Sequence, residues 1–169
     1  IVIPPFAVFS AFHRFNSKWA ILGSATYTKW DAFKHIHLHN VESIDDGLDA
    51  TLSNIMVVED YKNTWNFALG AHYTPVEKWT IKAGLGYDQS PTRGRTRNVQ
   101  LPGQDRIAVS TGVHYQVLQK LGLDVGYTHL FIRRANINNT QDLGAESVTT
   151  VGNSKSYANV YGLQLTWDF

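Results

Sequence analysis

Residues 79–116 read WTIKAGLGYDQSPTRGRTRNVQLPGQDRIAVSTGVHYQ, two alternating segments either side of a polar, arginine-bearing loop. Trp79, Ile81, Ala83, Leu85 and Tyr87 share one parity, and Thr80, Lys82, Gly84, Gly86 and Asp88 the other. Beyond the loop, Ile107, Val109, Thr111, Val113 and Tyr115 alternate with Arg106, Ala108, Ser110, Gly112, His114 and Gln116. Successive side chains of a strand point to opposite faces, so a period of two held over about ten residues predicts two strands, each with an apolar and a polar face. Helical spacing does not fit.

The aromatics define what the apolar face meets. Trp79 and Tyr87 stand eight residues apart on it. At about 3.3 Å per residue and a tilt near 40° they bracket roughly 20 Å of height, close to the apolar band of an outer-membrane barrel. The same interval separates Trp19 from Tyr27, Trp65 from Tyr73 and Tyr161 from Phe169. Aromatic girdles at two membrane–water interfaces require that repetition, and Tyr115 and Trp167 join the expected set.

Composition alone fits a soluble β-sandwich as well, since that fold also shows many alternating strands. The girdle spacing turns the reading toward a transmembrane antiparallel β-barrel. No run of 18 apolar residues predicts a membrane helix. Cysteine is absent, which excludes a disulfide framework or a Cys-based metal site, and the net charge of +1 points to no nucleic-acid partner. The chain opens at Ile1 without an initiating Met or an export signal, as a mature or truncated chain would.

In chain order, Phe6 to Phe15 reads as a strand of poor alternation. Trp19 begins a second strand, expected to run past Trp30 toward His39, and an acidic loop covers His39 to Asn54. A third strand is expected over about Ile55 to Tyr73. The opening hairpin follows, then a sixth strand over Leu121 to Phe131, a long polar loop over residues 133–155, and a last strand from Tyr157 to Phe169. Connections alternate short and long, as periplasmic turns and outer loops do in such barrels. That asymmetry places the C-terminus in the periplasm. Tyr161, Leu163, Leu165, Trp167 and Phe169, apolar at every second position, read as a C-terminal assembly signal for the barrel assembly machinery. About seven strands are counted, an odd number that leaves two edges unpaired in lipid, so the chain reads as part of a larger barrel.

The run Gly86-Tyr87-Asp88-Gln89-Ser90-Pro91, then Arg97, then Leu101-Pro102-Gly103-Gln104-Asp105-Arg106, resembles the FadL family of outer-membrane long-chain fatty acid and hydrocarbon transporters. Trp19 to Trp30 with its Thr26-Tyr27-Thr28 centre, Tyr61-Lys62 ahead of Ala68-Leu69-Gly70, and Asp124-Val125-Gly126-Tyr127 extend the resemblance over nearly the whole chain in the family's order. It implies a barrel of about fourteen strands, of which this chain is the C-terminal half. It also implies an N-terminal hatch and a kinked strand with a lateral opening, both upstream of Ile1. Family members that take fatty acids can carry a lysine four residues before the aromatic of Tyr61-Lys62. Here Val57 stands there, between Met56 and Val58, which makes these three the candidate ligand-binding residues and favours a neutral hydrophobic substrate.

Lys82, Asp88, Arg106, His114 and Asp124 all fall on the predicted lumen face. Hairpin pairing is expected to bring Asp88 to Arg106 and His114 to Asp124, a polar network that stabilises the wall more than it handles substrate. His35, His37 and His39 alternate on one face, a spacing able to converge on a metal, but without neighbouring acids an exposed strand extension is the better expectation, and no cofactor is expected. Arg93, Arg95 and Arg97 read as a solvated loop that can also meet lipopolysaccharide phosphates. An enzyme needs a nucleophile, base and orienting group at one level of the wall. His129 reads as lipid-facing at the outer rim while Thr128 points the other way, so no such set is expected. The expected function is passive uptake of long-chain fatty acids or other hydrophobic molecules across the bacterial outer membrane. A general porin or adhesin and a lipid-modifying enzyme are the alternatives.

Overall fold

Alternation becomes pairing through tight turns. In the computed structural model, which describes residues 3–32, 35–39, 54–58, 60–97, 102–142 and 147–168, strand β1 (Phe6–Arg14) returns as β2 (Trp19–Thr28) around Asn16. The Asn16 side-chain oxygen accepts from the backbone N–H groups of Lys18 and Trp19, each at 2.9 Å, and closes the turn locally. The remaining strands are β3 (His35–His39), β4 (Asn54–Val58), β5 (Thr64–Val76), β6 (Trp79–Asp88), β7 (Arg106–Leu118) and β8 (Leu121–Ile132), then β9 (Ala135–Asp142), β10 (Ser147–Ser154) and β11 (Tyr157–Trp167).

Seven of them form one antiparallel sheet in the order β1-β2-β5-β6-β7-β8-β11, and β3-β4 and β9-β10 form separate ribbons. The seven strands expected from the alternation are those of the main sheet. The register is in phase throughout: Tyr27 opposes Trp65, Phe67 opposes Tyr87, Tyr87 opposes Ile107 and Ile107 opposes Phe131. One face is therefore apolar from end to end, and it is exposed, with Leu69 at 61%, Leu85 at 59% and Leu163 at 75%. Buried hydrophobic residues among those described are only Ala20, Ala135 and Ile137. A sheet with a continuous greasy exterior and almost no interior hydrophobic core is built to face lipid.

Three expectations are corrected. The second strand stops at Thr28 and a 3-10 turn takes Trp30–Ala32, so His35–His39 forms the separate β3. The third strand is two, β4 and β5, broken where Asp60 adopts a φ of 43°, a conformation that aspartate tolerates. Within residues 133–155, expected as a loop, two strands pair, β9 with β10 from Ser147↔Asp142 to Ser154↔Ala135. Residues 40–53, most of the expected acidic loop, lie outside the described residues, as do Leu101 and Phe169. β1, ambiguous by parity, presents Phe6, Val8, Ser10, Phe12 and Arg14 to the polar face, because Phe6 opposes Thr28 and Phe12 opposes Leu22.

Candidate functional site

The polar face is organised in rows set by the register. Phe12, Leu22, Gly70, Gly84 and Ser110 form one row across five strands. Ser24, Ala68, Gly86 and Ala108 form the row on its long-loop side. With side chains this small over the middle strands, the face is hollowed into a recess of about 630 Å³, in which Phe12, Leu22 and Ala68 meet a polar edge of Asn66 and Ser110. A neighbouring recess of about 580 Å³ continues across β7, β8 and β11 over Gly112, Gly126 and Gly162, with Thr128 and Gln164 at its edge.

Charges stand at both ends. Toward the long loops, Arg106 donates to Asp88 at 2.5 Å. Toward the short turns, Lys82 donates to Asp124 at 2.6 Å and His114 Nδ1 lies 2.9 Å from the other oxygen of that carboxylate. Lys82 reaches Asp124 from two strands away because Gly112, between them, has no side chain: a Cβ there would stand 3.9 Å from Lys82 Cβ and 3.1 Å from the Val125 carbonyl. Gly122 serves His114 in the same way. A Cβ at that glycine would lie 2.7 Å from the imidazole Cε1.

On the apolar face, Trp19 packs on Tyr73 and Trp79 on Tyr115, both at 4.5 Å between rings, at the end of the short turns. Tyr27 meets Trp65 at 5.0 Å at the opposite end. Tyr127 and Tyr161 meet at 5.2 Å, and Trp167 is 59% exposed on β11. Thr128 turns inward to Ser110 at 2.9 Å, while His129 turns outward to Asn159 at 2.7 Å, so no acid–base–nucleophile set converges there.

The long loop between β6 and β7 is where sequence reasoning missed most. Asp105 accepts from Tyr87 Oη and the Ser90 N–H, both at 2.9 Å. Burial raises the Asp105 pKa, but those two donors and the nearby Lys62 and Arg133 hold its carboxyl below the usual carboxylate range. Gly103 must be small, since a Cβ would sit 2.9 Å from Thr92 Oγ1 and 3.0 Å from Ser90 Oγ. Arg93 and Arg95 both pair with Asp60, and Arg97, only 7% exposed, donates to the carbonyls of Gly103 at 3.2 Å and Asn136 at 3.0 Å. Arg93 and Arg95 are exposed, as a solvated loop predicts, although both are paired, whereas Arg97 departs from that expectation and ties the loop to β9. Met56, Val57 and Val58 pair through the β4 backbone with His37, Ile36 and His35 of β3. The side chains of these residues and of His39 lie outside the described part of the structure.

An antiparallel wall, apolar outside, small and polar inside, with aromatics at both edges of the apolar band, defines a segment of an outer-membrane β-barrel. A family model for the outer membrane protein transport proteins (OMPP1/FadL/TodX) matches residues 1–169, and the chain belongs to that family. It is 31% identical over 172 residues to outer membrane protein P1 of Haemophilus influenzae, covering 99% of this chain and 36% of that protein. It is 29% identical over 129 residues to the long-chain fatty acid transport protein of Escherichia coli K12, covering 76% of this chain and 27% of that protein. The crystal structure of a Pseudomonas aeruginosa FadL homologue superposes with a TM-score of 0.86 at 30% identity, over 98% of this chain and 36% of that one. The CymD monoaromatic hydrocarbon channel shares the fold at a TM-score of 0.64 and 16% identity, over 98% of this chain and 36% of that one. The chain thus spans about a third of the length of these relatives, and its seven-stranded sheet is part of a larger barrel.

Proposed function

We propose that this chain forms part of the wall and outer loops of a passive transporter that binds long-chain fatty acids or similar hydrophobic molecules in its lumen and releases them toward the bilayer. The observation that carries the reading is the recess of about 630 Å³ on the inner face, where apolar Phe12, Leu22 and Ala68 adjoin a floor of glycine. A porin for ions and sugars lines that surface with charge. Here the ionic pairs stand at the two ends and leave the middle uncharged. Binding then draws on apolar burial, about 25 cal/mol per Å², and needs no energy source. The E. coli relative's role as a long-chain fatty acid transport protein supports the same reading.

In this reading the C-terminus is periplasmic, the β11 alternation Tyr161, Leu163, Leu165 and Trp167 serves recognition by the barrel assembly machinery, and the outer rim meets lipopolysaccharide. The free edges of β1 and β11 pair with the remainder of the same barrel, because unpaired backbone groups are not tolerated in hydrocarbon. The test is uptake of labelled oleate and of a labelled long alkane by a deletion strain complemented with the full-length protein, compared with Gly84→Phe. A Cβ at Gly84 meets only ordinary contacts, 3.5 Å to the Leu69 carbonyl and 3.8 Å to Ser110 Cβ, so the larger ring projects into the recess. Uptake is expected to be restored by the wild type and to fall several-fold with Gly84→Phe at equal surface expression. Absence of any uptake defect in the deletion strain for either compound rejects the proposal.

A further inference from the structure

One row nearer the short turns, the inner face changes character completely. Arg14 opposes Ala20, Ala20 opposes His72, His72 opposes Lys82 and Lys82 opposes Gly112, so three basic side chains share one row on one face. They line a recess of about 280 Å³ together with Lys18, Thr80 and His114. Ala20, between Arg14 and His72, is 5% exposed, so the row closes over it. Asp124 answers only part of this charge, since its two oxygens are taken by Lys82 and His114. Among the described residues, no carboxylate lies within ion-pair distance of Arg14 or His72.

This row abuts the apolar one on every strand that carries it. Phe12 precedes Arg14 on β1, Gly70 precedes His72 on β5, and Lys82 precedes Gly84 on β6, each pair being inward neighbours two residues apart. We infer that Arg14, His72 and Lys82 form an anion subsite at the turn-side end of the lumen wall, taking the carboxylate of an amphiphile whose tail occupies the adjoining apolar recess. The inference rests on the transport reading above and adds to it a residue set for the head group. The physical basis is the Arg14 guanidinium, which has no ion-pair partner among the described residues and stands in one row with a Lys82 whose Asp124 is shared with His114, and the two-pronged fit of guanidinium to carboxylate. A neutral hydrocarbon gains nothing from that row. The absence of a lysine at Val57 is then no obstacle to carboxylate binding, because the charge is supplied at a different level of the wall.

The experiment uses the full-length transporter purified in non-ionic detergent, with oleate and the alcohol of the same chain as probes, and compares wild type, Arg14→Gln, Arg14→Lys and Arg133→Gln. The expected result is tighter binding of oleate than of the alcohol by wild type. Arg14→Gln should weaken oleate about tenfold while moving the alcohol less than about twofold. Arg14→Lys should retain part of the preference, and Arg133→Gln, whose side chain is 72% exposed at the outer rim, should leave both affinities unchanged. Heat-modified migration of each variant reports whether it is folded. Equal affinity of wild type for acid and alcohol, or equal loss of both with folded Arg14→Gln, overturns the inference; the row is then neutralised by carboxylates from the rest of the chain, and the transport reading stands. If wild type binds neither probe, both fall.

Discussion

One glycine and one carboxylate carry more of the local structure than their size suggests. At Gly122 an added methyl group must displace the His114 ring, since its Cβ would stand 2.7 Å from Cε1. Gly122→Ala is therefore expected to break the 2.9 Å contact between His114 and Asp124 and to destabilise the refolded barrel by about 1 kcal/mol, measured as a shift of the urea midpoint in lipid vesicles. Gly126→Ala on the same strand is the control, because its Cβ meets only the Thr111 carbonyl at 3.9 Å. Asp105 gives a pH prediction. A carboxyl whose folded pKa lies below the ordinary 3.8 contributes stability that is fully present above that value and is lost as the pH falls through the lower folded one. The loop around Ser90 should therefore stay protected from protease well below pH 5 and open only in stronger acid. Asp105→Asn should open it at neutral pH; equal nicking of both proteins at every pH would reject this role.

Elements were legible in proportion to how cleanly their two faces differ. β6, β7 and β8 alternate without interruption, and their bounds follow the residues that set them. β1 did not declare its faces because Phe6, Val8 and Phe12 point into the barrel, where an apolar recess lies, while Phe9 points out. The ends of β2 and β5 were overrun because apolar residues continue through Trp30 and start again at Ile55, and nothing in parity marks the 3-10 turn or the φ of 43° at Asp60. The Asp88–Arg106 and His114–Asp124 pairs could be counted off the hairpins, but Lys82–Asp124 spans two strands and could not, and the recess itself is built largely of Gly, Ala and Ser, which carry no signal until the register aligns them. Arg97 was equally silent, because its carbonyl partners belong to Gly103 and to β9, 39 residues away. Its burial makes it the pin between the β6–β7 loop and β9. Arg97→Ala should cost about 1–3 kcal/mol of local stability. Amide exchange in β9 and β10 should quicken accordingly while that in β6 and β7 stays as in wild type.

At the scale of the whole molecule the inside and the outside are reversed relative to a water-soluble sheet. Leu69, Leu85, Val109 and Leu163 are exposed because lipid covers them, and the face that a soluble protein would turn to water encloses the lumen. The consequence is a substitution test with opposite outcomes at adjacent positions. Ala83 lies midway between Trp79 and Tyr87 on the apolar face and opposes Ala71 and Thr111, whereas Ser110, one residue along β7 from Thr111, is directed inward. Arginine at the bilayer midplane costs about 2–4 kcal/mol on the lipid side of a barrel and little in a lumen. Ala83→Arg is therefore expected to lower the stability of the full-length barrel in vesicles by that amount, and Ser110→Arg to leave it near wild type while narrowing the recess it lines. Equal tolerance of both arginines would mean that Ala83 faces water, and the assignment of faces, with every functional reading built on it, would have to be inverted.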